Sequence, residues 1–266
     1  MQAGTSQDRR NTTTLRLISA ATVIAVLLVW FTVSNLGLVS HLFMPTPQSV
    51  WYAFVDILQN GYKGNTFWQH LGASLERVLL AFLLAVITAV PLGLASGFSP
   101  KLRAAWEPII EFYRPLPPLA YYTLLVIWLG IDNESKIALL FLACFAPIYV
   151  SCISAVRRIP PNYIRNAATL GASKMQIFKR VIFPLCLPEI FSAMRIAMGV
   201  GYTTLVASEM VAARSGIGWM VVDASNFLHS EVIFVGIIVI AITAIILDRL
   251  MLLAKRLLVP WEGQNT

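Results

Sequence analysis

The sequence predicts an all-α polytopic membrane protein, and two properties carry that prediction. Of its 266 residues, 58% are hydrophobic and only 12% are charged, and the mean hydropathy is +0.73. An ordinary soluble domain carries about 25% charged residues, so a soluble chain of this composition could not cover its surface. The hydrophobic residues also stand in blocks of about 20, the length that crosses a bilayer core. A cytosolic enzyme, a disordered chain and a disulfide-stapled secreted domain are thereby excluded.

Six apolar blocks predict about six transmembrane helices between two polar tails. The predicted spans cover about residues 17–38, 74–98, 106–131, 136–156, 188–213 and 232–254, within a membrane domain at 17–256 and tails at 1–16 and 257–266. The first block is longer than the apolar core of a signal peptide and lacks a small-residue cleavage site after it, so we expect it to stay uncleaved. Residues 48–59 are predicted to form a helix at the membrane interface, because Val50, Trp51 and Phe54 recur at helical spacing.

Glycine and proline give two of the blocks a particular local structure. The second block contains Gly93 and Gly97, four residues apart, which could let another helix approach closely. The third block contains Pro115, Pro117 and Pro118. Because prolines inside a helix remove backbone hydrogen bonds, we expect the third helix to break at membrane depth. The break is either a hinge that turns carbonyls toward a path or a plain kink.

The distribution of Lys and Arg predicts the orientation in the membrane. With six spans, segments 1–16, 98–105, 157–185 and 255–266 share one side, and they hold most of the basic residues. The positive-inside rule therefore places both termini in the cytoplasm. The net charge of +7 does not indicate a nucleic-acid partner, because the basic residues are dispersed between apolar blocks rather than gathered on one face.

The polar stretch 157–185 is the most informative segment, with six basic residues and no acidic one. We expect a short helix, then Gly171 ending it in the left-handed conformation, then a second short helix, so that the stretch forms an angled knob. Pro160 and Pro161 would separate this knob from the preceding span. The alternative is a merely solvated basic loop.

The candidate contact residues of the knob are Arg165, Asn166, Ala167, Ala168, Gly171, Ala172 and Pro184. The three alanines are expected to keep one face small enough to enter a cleft.

This stretch resembles the EAA loop of bacterial ABC importer permeases. The family's pattern is E-A-A, three residues, Gly, nine residues and then I-x-L-P. Gly171, Val181, Phe183 and Pro184 stand at the matching spacing, whereas the opening triad at 165–167 reads R-N-A. The departure removes any ion pair that the family's Glu would make.

The resemblance extends over about residues 20–262 and is strongest to the sulfonate, taurine and nitrate branch. The segments that carry it are 107–120, 128–131, 195–202, 209–210 and 256–261. It implies the type I ABC importer permease fold in a bacterial inner membrane, with a second copy of the permease. It also implies a periplasmic solute-binding protein and two ATPase subunits docked on the 157–185 loop. The ATPase-coupling residues that it implies are Arg165, Asn166, Ala167, Ala168, Gly171, Ala172 and Pro184. ATP would be bound by the partner subunit, with no cofactor on this chain. The implied solute is taurine or a related aliphatic sulfonate, while nitrate, bicarbonate and aromatic sulfonates stay open.

Four charged residues inside the predicted spans are further candidates. An ionisable side chain at membrane depth costs at least about 2.5 kcal/mol, so it is a functional candidate by default. Glu111 and Arg114 are three residues apart and can pair on one helix face. Arg195 and Glu209 are separated by about 21 Å of helix and cannot pair directly. We expect these four residues and Pro117 to line or gate a translocation path; the alternative is that the charges form interhelical ion pairs.

Several other function classes lack the sequence features that they require. The P-loop pattern G-x-x-x-x-G-K-[ST] is missing, so the chain is predicted to be a transport subunit without its own ATPase site. No H-E-x-x-H or C-x-x-C pattern predicts a metal site. An ion-coupled secondary transporter would show an inverted internal repeat, and none is visible. A membrane enzyme would need a catalytic constellation near the interface, which the sequence does not show.

Overall fold

The structure, a computed structural model, describes residues 4–262, with the backbone alone at 4–14, 16 and 212. The helices are α1 Gly4–Asn35, α2 Pro47–Asn60, α3 Phe67–Phe98, α4 Pro100–Tyr113, α5 Pro118–Leu129, α6 Asn133–Arg157, α7 Pro161–Thr169, α8 Lys174–Ile177, α9 Phe183–Ala212, α10 Ile217–Asn226 and α11 Ser230–Leu258. A π-helical turn at Phe178–Ile182 joins α8 to α9. Over the described residues the only β pairing is an isolated bridge between Tyr62 and Asn65. The predicted all-α class is confirmed.

Within residues 4–262, five stretches of helix are long and apolar enough to cross a membrane. They are Leu17–Asn35, Phe67–Phe98, Asn133–Arg157, Lys174–Val211 and Ser230–Leu258. The predicted third span, 106–131, is not one helix: α4 stops at Tyr113 and α5 starts at Pro118. At 12 residues, α5 is about 18 Å long, too short to span a bilayer core alone. The prolines thus replace a continuous third helix with two shorter ones.

Local capping sets where α2 and α3 begin. Thr46 accepts a hydrogen bond from the Ser49 N–H at the start of α2, close to the predicted start of the interfacial helix at residue 48. Thr66 accepts from the Gln69 N–H while the Gln69 side chain accepts from the Thr66 N–H, a complete capping box. The helix α3 consequently begins at Phe67, seven residues earlier than the predicted start at residue 74.

The chain runs back and forth between two ends of a helical bundle. We define the Glu209 end as the end where α3, α6 and α11 begin and α9 finishes, and the Gly171 end as the opposite one. The helix α4 starts at the Gly171 end, directly after α3, and α5 finishes at the Glu209 end, directly before α6. The two shorter helices therefore make one crossing together, and the number of crossings remains six.

The helix α6 lies at the centre of the bundle, between α3 and α9. Its buried side chains include Ile148 and Tyr149, and they pack with apolar residues of α3 and α9 in one core cluster. The predicted close approach of a helix to Gly93 and Gly97 is confirmed. A Cβ at Gly93 would lie 2.7 Å from the Cys152 Cβ and 2.8 Å from the Tyr149 carbonyl oxygen. These glycines let the backbones of α3 and α6 come together.

A second apolar cluster joins α2, α10 and the first turns of α3 and α11 at the Glu209 end. The helix α1 lies at the edge of the bundle, where most of its described side chains are exposed. Trp30 fixes it there by stacking on Phe234, with ring centroids 5.6 Å apart, and by donating to the Pro45 carbonyl oxygen. Apolar side chains exposed along a spanning helix are those expected to face lipid.

Candidate functional site

The predicted knob at the Gly171 end is present, and its turn is a Schellman motif. Gly171 has φ of +79°, in the left-handed region predicted for it. The Gly171 N–H donates to the Ala168 carbonyl oxygen at 3.0 Å, and the Ala172 N–H donates to the Ala167 carbonyl oxygen at 3.1 Å. These two bonds satisfy carbonyls that the end of α7 would otherwise leave free. Glycine fits here because a Cβ is strained at positive φ.

The elements on either side of this turn are fixed by proline and by capping. Pro161 occupies the first turn of α7, after α6 has ended at Arg157. Ser173 begins α8 with a capping box to Gln176. The π-helical turn then leads into α9, where Pro184 lies in the first turn, a position that tolerates a missing N–H. The knob is thus a helix–turn–helix with both halves locally specified.

The outward face of the knob mixes polar and apolar side chains, and its inward face packs on the bundle. Arg165, Asn166 and Ala168 are exposed, and Leu170 is 88% exposed at the tip. Ala167 and Ala172 are half-buried against the core cluster. The prediction that all three alanines share an outward face is therefore wrong, because the helical period turns Ala167 inward and leaves Ala168 outside. Ile177 is buried and anchors α8 to the same core.

A buried ion pair is the main polar feature of the Glu209 end. The Arg77 Nη1 donates to the Glu209 carboxylate at 2.6 Å, and both side chains are at most 5% exposed. The same carboxylate accepts from the Ser74 hydroxyl at 2.8 Å and from the Gly218 N–H at 2.9 Å. Arg77 also donates to the Ser215 carbonyl oxygen. These bonds tie α3 and α9 to the loop that precedes α10.

His70 extends this network toward the interfacial segment. The Gly216 N–H donates to His70 Nδ1, so the ring proton lies on Nε2, which faces the Tyr62 carbonyl oxygen at 3.1 Å. The ring of Trp219 stacks on the imidazole. Burial, followed by the hydrogen bond to Asp223, raises the pKa of the Tyr62 phenol well above its ordinary value. The phenol therefore stays protonated and donates to the Asp223 carboxylate.

Sequence reasoning missed the partner of Glu209. The second span was predicted to begin at residue 74, which would leave Arg77 in its first turn. The capping box formed by Thr66 and Gln69 is the signal that could have corrected this, since it starts α3 ten residues before Arg77. At 1.5 Å per residue, Arg77 lies about 15 Å into the helix. The structure thus places Glu209 in an interhelical ion pair.

The second intramembrane pair joins α9 to α11. The Arg195 guanidinium binds the Asp248 carboxylate through two hydrogen bonds, and the Nη2–Oδ2 distance is 2.8 Å. In contrast to the buried pair, these side chains are 46% and 40% exposed on the single chain. Asp248 was also missed, although an acidic residue inside the last apolar block was itself a visible signal. Gly199 and Thr203 continue the same exposed face of α9.

The remaining candidates lie where the third crossing is broken. Glu111 is exposed in the last turn of α4, Arg114 is exposed just after it, and Pro117 precedes α5. The predicted pairing of Glu111 with Arg114 is not among the ion pairs of the described residues. Glu111, Arg114 and Pro117 are therefore close to one another along the chain, and within the described residues they join neither the buried Arg77–Glu209 network nor the exposed Arg195–Asp248 pair.

Comparison with known proteins agrees with this architecture. Residues 89–262 match the family described as the binding-protein-dependent transport system inner membrane component. The chain is 46% identical to the taurine transport system permease protein TauC of Escherichia coli (strain K12) over 93% of this chain and 90% of that protein. It is 31% identical to an aliphatic sulfonates transport permease protein, SsuC, of Bacillus subtilis (strain 168), over 93% and 87%. It is 30% identical to the bicarbonate transport system permease protein CmpB of a Synechocystis strain, over 90% and 88%.

A solved structure supports the same fold at lower sequence similarity. A chain of the MetNI methionine ABC transporter in inward-facing conformations superposes with a TM-score of 0.56 at 18% identity, covering 71% of this chain and 92% of that one. This similarity shows the type I ABC importer permease fold alone. With six crossings of apolar helix, the molecule is a multi-pass inner-membrane protein. The matched residues and the helical architecture together show that the chain belongs to the family of inner-membrane permease components of binding-protein-dependent transport systems.

Proposed function

We propose that this chain is the permease subunit of an ATP-driven importer for taurine or related aliphatic sulfonates. The observation that carries the proposal is the 46% identity to TauC over 93% of the chain. Two further relatives with 31% and 33% identity bear names of aliphatic sulfonate permeases. In the proposed assembly two copies of this chain pair around a central path, and a periplasmic binding protein delivers the solute.

The exposed knob supports a docking role toward a separate ATPase. The turn of α7 projects from the Gly171 end while its apolar side is held on the core, so a force applied to the knob is transmitted to α6 and α9. Arg165, Asn166, Ala168 and Gly171 form the outward contact, and Ala167, Ala172 and Pro184 position it. ATP is bound and hydrolysed on the partner subunits, and one ATPase docks on each permease copy. Both termini and this knob face the cytoplasm, as the basic segments require.

The exposed ion pair supports a path along α9 and α11. Arg195 and Asp248 lie within apolar helices, and exposure of charge to lipid is costly, so a water-filled path or the second permease copy must cover them. Gly199 and Thr203 add a small and a polar residue to that face, whereas lipid-facing positions of α11 carry Ile and Leu. We assign the Arg195 face to the path.

Glu111, Arg114 and Pro117 occupy a break that suits the same path. A broken helix at membrane depth is tolerated where its backbone lies against protein or a water-filled cavity. Arg114 and Glu111 are both exposed on the single chain and need such a polar neighbour.

Glu209 gates the path indirectly, because its buried carboxylate holds the loop between α9 and α10 in place.

A second candidate solute is bicarbonate. The relative that bears the bicarbonate name is 30% identical over 90% of this chain, so the family resemblance alone admits an inorganic anion. The higher identity to TauC favours the sulfonate.

Growth on single sulfur sources tests the proposal. A strain that lacks this chain, and any other sulfonate importer, is grown on sulfate, taurine or ethanesulfonate as the sole sulfur source. We expect growth on sulfate to be normal and growth on taurine to be lost, and growth on taurine to be restored when the chain is supplied from a plasmid. Unimpaired growth on both sulfonates would contradict the proposed solute, and bicarbonate-dependent growth would then be the next assay.

A further inference from the structure

We propose that a cavity at the Glu209 end binds a small zwitterion that carries both a sulfonate and an ammonium group. The cavity has a volume of about 620 Å³ and lies between the start of α6, the end of α9 and the side of α3. A volume of this size is typical of sites for small molecules. The inference rests on the proposed function, and it names the part of the path that would distinguish taurine from other anions.

The charged side chains of this cavity come from three separate elements. Arg77 of α3 lies at its base, and Asp132, Glu134 and Lys136 come from the start of α6. Arg214 comes from the loop after α9. Each wall is fixed by the buried network, because Arg77 donates to the Asn133 side chain at 2.8 Å and to the Ser215 carbonyl oxygen at 2.8 Å. The cavity is therefore held in shape by bonds between the elements that line it.

Most of these charges have no partner of opposite sign. Lys136 is 2% exposed, and its ammonium donates to the carbonyl oxygens of Ile131 and Asp132 at 2.7 and 2.9 Å, which leaves one N–H free. Over the described side chains, the charged groups of Asp132, Glu134 and Arg214 take part in no hydrogen bond or ion pair. Within the described side chains no carboxylate lies at ion-pair distance from the Lys136 ammonium, and a bound anion would add to its compensation.

The balance of charge favours a zwitterion over a simple anion. Because Glu209 already neutralises Arg77, the free charges of the cavity are two positive, Lys136 and Arg214, and two negative, Asp132 and Glu134. A simple inorganic anion would meet both carboxylates as well as both cations. A molecule with one group of each sign can satisfy both kinds of side chain, which is the basis of electrostatic specificity.

The start of α6 supplies both acids of the site, Asp132 and Glu134. Asp132 precedes the helix but its side chain makes no capping hydrogen bond, so the first N–H groups of this 25-residue helix lack a side-chain acceptor. Glu134 is the acid in the first turn, next to the positive end of the helix, and Lys136 lies one turn beyond Asp132. We place the sulfonate beside Lys136 and Arg214, and the ammonium beside Asp132 and Glu134.

The test measures equilibrium binding to the purified membrane complex that contains this chain, in nanodiscs and without any solute-binding protein. The probes are radiolabelled taurine and ethanesulfonate, which is taurine without its amino group. The variants are Glu134→Gln and Arg214→Gln, with Asp56→Asn as the matched control. Asp56 is an exposed acid of α2 at the same end of the molecule, and it does not line the cavity.

The two cavity variants are expected to act differently on the two probes. Glu134→Gln should raise the Kd for taurine about five-fold or more and leave the Kd for ethanesulfonate unchanged, because only taurine has an ammonium group. Arg214→Gln should raise the Kd for both probes, and Asp56→Asn should change neither. Asp132→Asn repeats the test on the second carboxylate if Glu134→Gln disturbs the start of α6.

Failure of this inference is separable from failure of the proposed function. If the wild-type complex binds no taurine, or if Glu134→Gln and Arg214→Gln bind both probes like Asp56→Asn, the cavity is not a zwitterion site. Those results would leave taurine-dependent growth intact. If growth on taurine does not depend on the chain at all, the proposed solute itself is wrong.

Discussion

Among single residues, burial separates the two ion pairs that lie within the membrane helices. Arg77 and Glu209 are at most 5% exposed and are enclosed by further hydrogen-bond partners, so their charges are fully compensated inside the chain. Arg195 and Asp248 are exposed by 46% and 40%, and their compensation depends on what covers them. The first pair is compensated within this chain, whereas the proposed path or a second permease copy would have to cover the second pair.

Neutralising Glu209 is expected to lower the free energy of unfolding by about 3–5 kcal/mol. Glu209→Gln keeps the shape of the side chain but leaves the Arg77 guanidinium buried without a counter-charge. The measurement is reversible unfolding of the detergent-solubilised protein in mixed micelles, followed by loss of helical circular dichroism.

The matched control is Glu107→Gln in the exposed pair with Arg103, where the N–O distance is 3.7 Å. An exposed pair contributes about 0–1 kcal/mol, so this variant should unfold close to the wild type. Equal unfolding free energies for the two variants would show that the Arg77–Glu209 pair does not stabilise the chain.

At the scale of single elements, the shape of the knob depends on the left-handed backbone conformation of Gly171. The Schellman turn at Gly171 ends α7 and redirects the chain into α8, while the half-buried Ala167 and Ala172 hold both halves on the bundle. No atom lies within 4 Å of a Cβ built on Gly171, so a substitution there acts through φ rather than through a clash. A substitution at Gly171 therefore tests the backbone conformation of the turn without a clash between side chains.

Two substitutions at Gly171 are expected to differ. Gly171→Val should strongly reduce both taurine uptake and co-purification of the ATPase, because a β-branched residue is strained at φ of +79°. Gly171→Asn should retain most of both, since Asn tolerates the left-handed region. The measurement is uptake of labelled taurine together with the ATPase-to-permease ratio after affinity purification. Similar loss in both variants would mean that the missing side chain, and not the backbone conformation, is required.

At the scale of the whole molecule, residues 4–262 cross between the two ends six times, although five of the helices described there are long enough to do so alone. The third crossing is shared by α4 and α5 because the prolines after Arg114 interrupt it. Six crossings bring both tails to the Gly171 end, together with the basic knob. Having the tails and the basic knob at one end agrees with the positive-inside rule, and the other spans keep their predicted directions.

Alkaline phosphatase fusions are expected to report this orientation, since the enzyme becomes active only outside the cytoplasm. Fusions at Gly171 and at the end of the chain should be inactive, and a fusion at Gly64, between α2 and α3, should be active. Fluorescent-protein fusions at the same three points should give the reverse pattern. Active phosphatase at Gly171 would place the knob outside and contradict its docking on a cytoplasmic ATPase.

The sequence correctly predicted features that have a local steric cause, and it missed features that hydropathy does not detect or that depend on packing. The Gly171 turn was predictable because glycine at a helix end has a local steric reason, and the close approach at Gly93 followed from the absence of a side chain. The start of α3 was missed by seven residues because hydropathy does not detect a polar first turn. The inward face of Ala167 was missed because the sequence does not show which side of a short exposed helix meets the bundle.

The sequence by itself determined the all-α membrane class, the six crossings and the knob, because each depends on local properties: apolar length, proline, glycine and the distribution of basic residues. Only the tertiary structure decided the charge partners. Arg77 and Glu209 are separated by 132 residues, and Arg195 and Asp248 by 53. The cavity likewise takes its charges from three elements that are distant in sequence. Such pairings depend on the rotation and depth of packed helices, which hydropathy along one chain does not specify.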